Sequence, residues 1–168
     1  KSFIEKCKSN GQIGGIYWTP FTDWARDPER TVDAAPEYKY KDIYLYANGK
    51  PQELDGAYAV DPTHPAVEAM MKKTSGLFHR AGFEYVKMDF MTHGAMEADK
   101  WYNPEITTGI QGYNYGMKLL NQYFGDMYIN LSISPVFPAQ YAQSRRIACD
   151  AWNQIKDTEY TLNALSYG

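Results

Sequence analysis

The sequence predicts an α/β fold assembled from parallel strand–helix units. Segments with the alternating period of strands follow, in turn, segments with the period of amphipathic helices. The composition, 44% hydrophobic and 22% charged over 168 residues, is that of a globular domain with a substantial core. The length is nevertheless below the roughly 250 residues of a closed eight-stranded barrel. We therefore expect parallel units without room for a complete barrel.

The pattern of residues 3–60 predicts a helix, a strand and a long loop that contains a hairpin. Residues 3–8 have a helical pattern, and Asn10-Gly11 supplies a left-handed stop. Residues 13–19 alternate as a strand, with Tyr17 on the same face as Gly15 and Thr19. Residues 20–60 form the loop, in which Asn48-Gly49 is a strong hairpin signal.

A long helix is expected next, with Thr63 as its N-cap, Pro65 in its first turn and Gly82 at its end. Its apolar stripe should point to the core. The stripe consists of Val67, Met70, Met71, Ser75, Leu77 and Phe78.

The remaining pattern predicts a strand over 83–91, a helix over 110–124 and strands over 127–133 and 145–151. In parallel βα folds the functional side chains lie at the carboxyl ends of the strands. The strand over 83–91 carries Asp89 near its end, and the strand over 145–151 carries Asp150 near its end.

The faces of these two strands carry the charges that suggest chemistry. Lys87 and Asp89 share one face, whereas Val86, Met88 and Phe90 share the other and should pack beneath helices. In the last strand, Arg146 and Asp150 share the polar face, and Cys149 lies on the apolar face as an inert core thiol. A cation thus precedes each carboxylate on the same face.

Two readings of these charges remain open from the spacing alone. Retaining glycosidases need two carboxyl groups roughly 5 to 5.5 Å apart, one ionised as nucleophile and one protonated as acid. A neighbouring cation favours the ionised form of a carboxyl group. The alternative is that Lys87 with Asp89 and Arg146 with Asp150 are two structural ion pairs, because ion pairs without a catalytic role also shift the pKa of carboxyl groups.

Three stretches resemble a known enzyme group: Val86-Lys87-Met88-Asp89-Phe90, Ser132-Ile133-Ser134-Pro135 and Arg146-Ile147-Ala148-Cys149-Asp150. They are similar to the retaining α-galactosidase clan, glycoside hydrolase families 27 and 36, and are closest to bacterial members of family 36. The stretch from Gly15 to Phe21 also resembles the third barrel strand of these enzymes. The hairpin at Asn48-Gly49 and the run from Tyr58 to Pro65 fit the same group.

The resemblance implies a partial (β/α)8 barrel that holds strands three to six of eight and at most reaches the seventh. Residues 1–168 would be the central part of a catalytic barrel domain of a longer enzyme, and residues 20–60 its inserted loop and hairpin. The first strands of the barrel, which supply further acidic residues to the sugar, would be missing. An isolated piece of this kind should be inactive and should expose unpaired strand edges.

The resemblance also implies a role for each site residue. Asp89 matches the nucleophile and Asp150 the acid/base, while Lys87 and Arg146 match sugar-contacting cations. Tyr17 matches the aromatic residue that lines the galactose pocket. Ser132 occupies the place of a cysteine that many relatives carry, and this position bears on the substituent at C2 of the sugar. Trp152, which follows Asp150, fits either a platform for the leaving group or an anchor for its loop.

The predicted function is therefore the removal of terminal α-galactosyl residues from oligosaccharides by double displacement. Two alternatives stay open. One is a retaining α-glycosidase of another sugar specificity, or a galactosyl transferase. The other is a non-catalytic carbohydrate-binding or structural piece.

Composition limits the partners. The net charge is −3, with 17 basic and 20 acidic residues, so no basic surplus points to nucleic acid. No long apolar run indicates a membrane span or a targeting segment, and the sequence does not reveal the compartment. The expected partner is an oligosaccharide or galactoside, with a homo-oligomer open for the whole enzyme. The three scattered histidines and two distant cysteines predict neither a metal site nor a disulfide, and no cofactor is implied.

Overall fold

The fold centres on one parallel sheet. The structure is a computed structural model that describes residues 2–146, 150 and 152–167. Four strands, in the order β1-β7-β8-β9, form this sheet, and all neighbouring pairs run parallel. These strands are β1 Gly15–Trp18, β7 Tyr85–Met88, β8 Tyr128–Leu131 and β9 Ser144–Arg145. The predicted α/β class with parallel units is confirmed.

Helices precede and separate the strands. They are α1 Phe3–Ser9, α2 Tyr40–Ile43, α3 Pro65–Ala81, α4 Gly109–Phe124 and α5 Ile155–Tyr167, with a 3₁₀ helix over Met91–Ala95. The predicted helices over 3–8 and 110–124 are confirmed within a residue at either end. α1 ends as expected, because Gly11 takes a left-handed conformation with φ of +68° directly after its cap.

One face of the sheet is covered by α3 and α4. Val86, Met88 and Ile129 have no accessible surface beneath these helices. Trp18 of β1 joins the two helices to the sheet, because its ring contacts both Phe78 of α3 and Phe124 of α4. The opposite face carries polar side chains, and in it Tyr17, Lys87 and Asn130 lie side by side in register.

The loop over 20–60 contains short strands and two hairpins. Its elements, besides α2, are β2 Thr22–Asp23, β3 Tyr46–Ala47, β4 Lys50–Pro51, β5 Glu53–Leu54 and β6 Ala57–Ala59. The Asn48-Gly49 hairpin between β3 and β4 is confirmed, with φ of +53° and +73° at the two turn residues. A second turn at Asp55-Gly56 joins β5 to β6.

The start of α3 differs from the expectation. The N-cap is His64, whose Nδ1 accepts a hydrogen bond from the Ala66 N–H at 3.1 Å, and not Thr63. The physical reason is Pro65, which holds the preceding residue in an extended conformation and so fixes the helix boundary. The Thr63 hydroxyl instead donates to the Asp61 carboxylate at 2.8 Å. The helix ends at Gly82, as predicted.

Two apolar residues were placed wrongly. Leu77 was assigned to the buried stripe of α3, but half of its surface is exposed. Phe90 was expected beneath the helices with Val86 and Met88. The strand ends at Met88, and Phe90 has a left-handed backbone with φ of +54°, so its ring contacts Trp24 and His93 instead.

The strands are shorter than predicted at both ends, because regular pairing covers only Gly15–Trp18, Tyr85–Met88 and Tyr128–Leu131 of the first three predicted strands. The last predicted strand, 145–151, starts with Ser144 and is paired through Arg145. Residues 147–149 and 151, including Cys149 and its predicted place in the core, lie outside the described residues.

Candidate active site

Asp89 lies directly after the carboxyl end of β7 and is 6% exposed. Its backbone N–H donates to the Trp18 carbonyl at 2.9 Å, which extends the pairing of β7 with β1 by one step. The carboxylate accepts a hydrogen bond from the Phe90 N–H at 2.9 Å, and the Lys87 ammonium lies 3.3 Å from its Oδ2. Asp89 is thus a nearly buried carboxylate held by a cation and a backbone donor.

The charge of Asp89 is set by opposing effects. Burial alone would raise the pKa of its carboxyl group. The Phe90 N–H, the Ser132 hydroxyl and the Lys87 ammonium oppose this effect, and together they hold the pKa of Asp89 below its ordinary value. Asp89 is therefore ionised at neutral pH, as a nucleophilic carboxylate has to be.

Tyr17 lies close to the charged residues of the site. It lies next to Lys87 across the β1–β7 pairing, with the ammonium 5.6 Å from its ring centroid. Burial, followed by the negative charge of Asp89, raises the pKa of Tyr17 to about 12, and Asp150 adds to the rise while Arg146 opposes it. Lys87 therefore lies beside a half-exposed phenol whose pKa also responds to the charges of Asp89, Asp150 and Arg146.

Ser132 follows β8 directly and lies near Asp89. The Ser132 hydroxyl lowers the pKa of Asp89. It has no hydrogen-bond partner among the described residues. The residue has no accessible surface. In this arrangement Ser132 contacts the carboxylate of Asp89 and does not reach the open part of the site.

Arg146 and Asp150 stand where the chain leaves β9. Their side chains form a hydrogen-bonded ion pair, in which the Asp150 side chain keeps 54% of its surface exposed. The preceding Arg145 donates to Ser134 Oγ at 2.7 Å and also to the carbonyls of Pro135 and Val136. Arg145 therefore links the loop after β8 to the segment that carries Asp150. Trp152 is 73% exposed.

The backbone is left-handed after three of the predicted site residues. Phe90 follows Asp89 with φ of +54°, Ile133 follows Ser132 with φ of +44°, and Trp152 has φ of +46° shortly after Asp150. A positive φ is uncommon outside glycine and is a marked outlier for a β-branched residue such as Ile133. Strained backbone of this kind concentrates at functional sites. Arg26, Asn48, Asp55 and Asn153 have the same conformation, so it accompanies these strand ends without being confined to them.

The sequence analysis missed one aromatic residue near this edge. Trp24 is 45% exposed, and its ring makes an edge-to-face contact with Phe90 at 4.7 Å between centroids. Its indole N–H donates to Thr19 Oγ1 at 3.3 Å, so the ring is held from two sides. Its position shortly after the first strand indicates that it could lie near the carboxyl end of the sheet. The course of the long loop over 20–60, and so the contact with Phe90, does not follow from the sequence.

The histidines have structural surroundings. His64 caps α3, His79 pairs with Asp126, and the fully buried His93 contacts the carbonyls of Phe90 and Leu54. His64 therefore belongs to the entry of α3, and His79 lies on the outer surface of the same helix. In the part of the chain that the structure describes, no three His, Cys, Asp or Glu side chains converge as metal ligands.

The fold is similar to that of solved glycoside hydrolases, among them α-galactosidases. The α-galactosidase TtGalA of Thermus thermophilus, in complex with stachyose, superimposes with a TM-score of 0.69 at 21% identity over 95% of this chain. An α-galactosidase of Lactobacillus brevis matches 99% of the chain with a TM-score of 0.59 at 15% identity. The glycoside hydrolase domain of PelA from Pseudomonas aeruginosa matches 98% with a TM-score of 0.59 at 11% identity.

The chain spans about a third of the length of the Thermus enzyme, 23% of the Lactobacillus enzyme and 67% of the PelA domain. The matched structures are barrel glycoside hydrolases, and the chain corresponds to a part of each. This confirms the predicted partial barrel and, at the level of the fold, the resemblance to α-galactosidases. No protein-family model matches the sequence, and no curated protein matches it either.

None of the helices among the described residues has both the length and the apolar character needed to cross a membrane.

Proposed function

We propose that this chain carries the catalytic centre of a retaining glycoside hydrolase that removes terminal α-galactosyl residues from oligosaccharides. One observation carries the proposal: Asp89 follows β7 and Asp150 follows β9 in the same parallel sheet, and each carboxylate is ion-paired with a cation, Lys87 and Arg146 respectively. The fold shared with α-galactosidases supports the same reaction class.

In the first step, an Asp89 oxygen attacks the anomeric carbon while the bond from that carbon to the leaving oxygen breaks. Asp150 gives its proton to the leaving oxygen, and a covalent glycosyl ester on Asp89 results. Asp89 suits this role because its contacts keep it ionised. Its oxygens are also held by Phe90 and Lys87, so the nucleophile is oriented before the substrate arrives.

In the second step, water attacks the same carbon from the side that the leaving group vacated. Asp150 takes a proton from the water, and the ester bond to Asp89 breaks, so the sugar leaves with its original configuration. Asp150 is well placed to meet water and a leaving group because its carboxylate is largely exposed, in contrast to Asp89.

The cations have a second task in this proposal. Arg146 pairs with Asp150 in the free protein. We propose that Arg146 exchanges this partner for a sugar hydroxyl when the substrate binds, which frees Asp150 to hold its proton. Lys87 and the half-exposed Tyr17 contact further hydroxyls and the face of the sugar ring. Ser132 shapes the site through Asp89, and Trp152 contacts the leaving group.

The test is the Asp89→Asn variant of the intact protein, assayed on an aryl α-galactoside. We expect turnover to fall by at least about a thousandfold, the scale seen when a covalent nucleophile is removed. NMR of the first sugar released by the unaltered protein should show the α anomer. Near-normal turnover by Asp89→Asn, or release of the β anomer, would reject the proposal.

The sugar specificity needs its own assay, because a fold and a pair of carboxylates do not name the sugar. A panel of aryl α-glycosides compares the galactoside with the glucoside and the N-acetylgalactosaminide. Cleavage of the galactoside should exceed the others by about tenfold or more, the effect of a few well-placed hydroxyl contacts. Cleavage of the glucoside alone would favour the alternative of another α-glycosidase.

A further inference from the structure

A cavity of about 760 Å³ lies between the inserted loop and the segment after the 3₁₀ helix. Its walls come from α2 with the β3–β4 hairpin, from the turn before α3, and from residues 99–102. No residue assigned to the candidate active site lines it. Its volume is within the range of about 300 to 1,000 Å³ that is typical of small-molecule sites.

Hydrogen bonds between distant parts of the chain hold the walls in place. The Tyr102 N–H donates to the Asp61 carboxylate at 2.6 Å, and the Asn103 N–H donates to Thr63 Oγ1 at 3.1 Å. The Asp99 N–H donates to the Tyr46 carbonyl at 2.8 Å. The cavity is therefore formed without a ligand, so binding does not lose free energy to the ordering of these loops.

Most charged groups in the walls are already satisfied. Asp61 accepts three hydrogen bonds, from Thr63 N–H, Thr63 Oγ1 and Tyr102 N–H. Lys41 pairs with Glu29, and Asp42 accepts from the Lys39 N–H. Asp99 and Lys100 are exposed at the rim and carry opposite charges. The lining therefore favours a neutral ligand over an anion or a cation.

The remaining lining is aromatic. Tyr102 and Tyr46 present ring surface to the cavity, whereas Trp101 and Tyr44 are only 7% and 5% exposed and the Tyr44 hydroxyl donates to Asp23. Tyr102 is 56% exposed, and its ring is supported by an edge-to-face contact with His64 at 4.6 Å. Rings of this type give a flat apolar face beside hydroxyl groups. A polyhydroxylated ring matches both surfaces, whereas a purely apolar ligand would leave the polar rim without partners.

We propose that this cavity is a second saccharide-binding site, separate from the catalytic centre, which holds one or two units of a neutral oligosaccharide against Tyr102. The choice of galactosyl sugars as its ligands rests on the proposed function. The site would hold a substrate chain to the enzyme while its terminal unit is cleaved elsewhere.

The test uses the intact protein with Asp89→Asn, so that the probe is not hydrolysed. The galactosyl disaccharide melibiose is titrated by calorimetry, and two binding events are expected. Adding Tyr102→Ala should weaken one event by about tenfold and leave the other unchanged. Tyr102→Phe, which keeps the ring, should stay within about threefold of the parent for both.

The matched control is Tyr160→Ala, which removes an exposed tyrosine of α5 that does not line the cavity, and it should alter neither event. Lys100→Ala at the rim provides a second probe if Tyr102→Ala does not fold, and it should weaken the same event by a few fold. A single binding event, or two events that neither variant changes, overturns the proposal.

The two proposals fail separately. Loss of galactoside cleavage in Asp89→Asn, together with unchanged melibiose binding in the cavity variants, rejects the second site and supports the catalytic centre. A cavity event that depends on Tyr102 in a protein that cleaves no galactoside supports the second site alone.

Discussion

Three neighbouring groups lower the pKa of Asp89, and each comes from a different part of the chain. Lys87 lies two residues earlier on the same strand face, the Phe90 N–H belongs to the turn after the strand, and the Ser132 hydroxyl follows the neighbouring strand β8. Together they outweigh a burial that leaves the residue 6% exposed. The pKa of Asp89 should therefore rise when any one of these groups is removed.

Lys87→Met tests this dependence, because it removes the ammonium and keeps the length of the side chain. Without the cation the pKa of Asp89 should rise from its lowered value, so the acid limb of kcat/KM should move to higher pH. The value of kcat/KM on the plateau should fall by about tenfold or more, as expected for a charged hydrogen bond. A pH series on an aryl α-galactoside measures both effects.

Lys50→Met, in the exposed β3–β4 hairpin, is the matched control and should leave the profile unchanged. An acid limb in Lys87→Met that coincides with the parent profile would show that Lys87 does not set the charge of Asp89.

Trp24 is the residue whose position was least apparent in the sequence, and its exposed ring touches Phe90 directly after Asp89. We predict that Trp24→Ala raises KM for an oligosaccharide by about five- to tenfold, because an aromatic face for the leaving sugar is lost. The kcat value should change by less than about threefold. Steady-state kinetics with melibiose and with an aryl galactoside measure the effect.

Tyr160→Ala, at an exposed aromatic residue of α5 outside the proposed site, is the control and should leave KM unchanged. Should Trp24→Ala reduce kcat and leave KM unchanged, its ring would act by positioning Asp89 through Phe90 and not by binding the leaving sugar.

At the scale of elements, α3 and α4 are tied together at their carboxyl ends by a polar contact. His79 Nε2 of α3 lies 2.8 Å from Asp126 Oδ1, just after α4, and the Ser75 hydroxyl donates to the Tyr123 carbonyl at 2.6 Å. The Asp126 contact, followed by the Ser75 carbonyl, raises the pKa of His79 above its ordinary 6.5. His79 in turn lowers the pKa of Asp126 below its ordinary 3.8.

These shifts predict how stability changes with pH. The His79 contribution is complete below pH 6.5 and is lost as pH rises through the raised pKa of His79. The Asp126 contribution is present above pH 3.8 and is lost as pH falls through the lowered pKa of Asp126. The pair therefore stabilises the fold most between these two values.

Asp126→Asn should lower the free energy of unfolding by less than about 1 kcal/mol, because both groups are partly exposed. The loss should be larger at a pH between 3.8 and 6.5 than at a pH above the raised pKa of His79, where the imidazole is neutral. Urea denaturation at both pH values measures it, with the exposed Glu105→Gln as control. A loss that is equal at the two pH values would mean that the contact is not an ion pair.

The elements that the sequence predicts well are those with local signals. Glycine ends α1 and α3, the Asn48-Gly49 turn defines a hairpin, and the apolar periods of α4 are clear. The errors also have local causes. Pro65 fixes His64 as the cap, and the left-handed turn at Phe90 redirects a side chain that strict alternation would bury. Backbone turns at strand ends break the alternation on which the prediction depends.

At the scale of the molecule, the charged constellation of the site could be expected from two strand patterns and a resemblance, because parallel strands deliver their ends to one edge. Three features of the site and its surroundings could not be predicted from the sequence and are apparent only in the folded chain. The contact of Trp24 with Phe90 joins residues far apart in sequence, the burial of Ser132 depends on the neighbouring strands, and the second cavity joins loops separated by about forty residues. Long-range contacts between loops have no short sequence signal.

The sheet itself leads to the last prediction. Among the described strands, β1 and β9 each have one neighbour, so each leaves an edge of backbone donors and acceptors unpaired. The chain around β9 also exposes apolar side chains, among them Phe137 at 75% and Ile155 at 88%. Free strand edges beside apolar surface promote association.

The 168-residue chain should therefore form assemblies whose mass rises with protein concentration, as measured by light scattering coupled to size exclusion. The double variant Phe137→Lys with Ile155→Lys should shift the population toward the monomer, because charge beside an exposed edge opposes strand pairing. Leu77→Lys, on the outer surface of α3, should leave the distribution unchanged. A monodisperse monomer of the unaltered chain at every concentration would contradict the prediction, and it would require that the two edges be covered by side chains or loops of the same molecule.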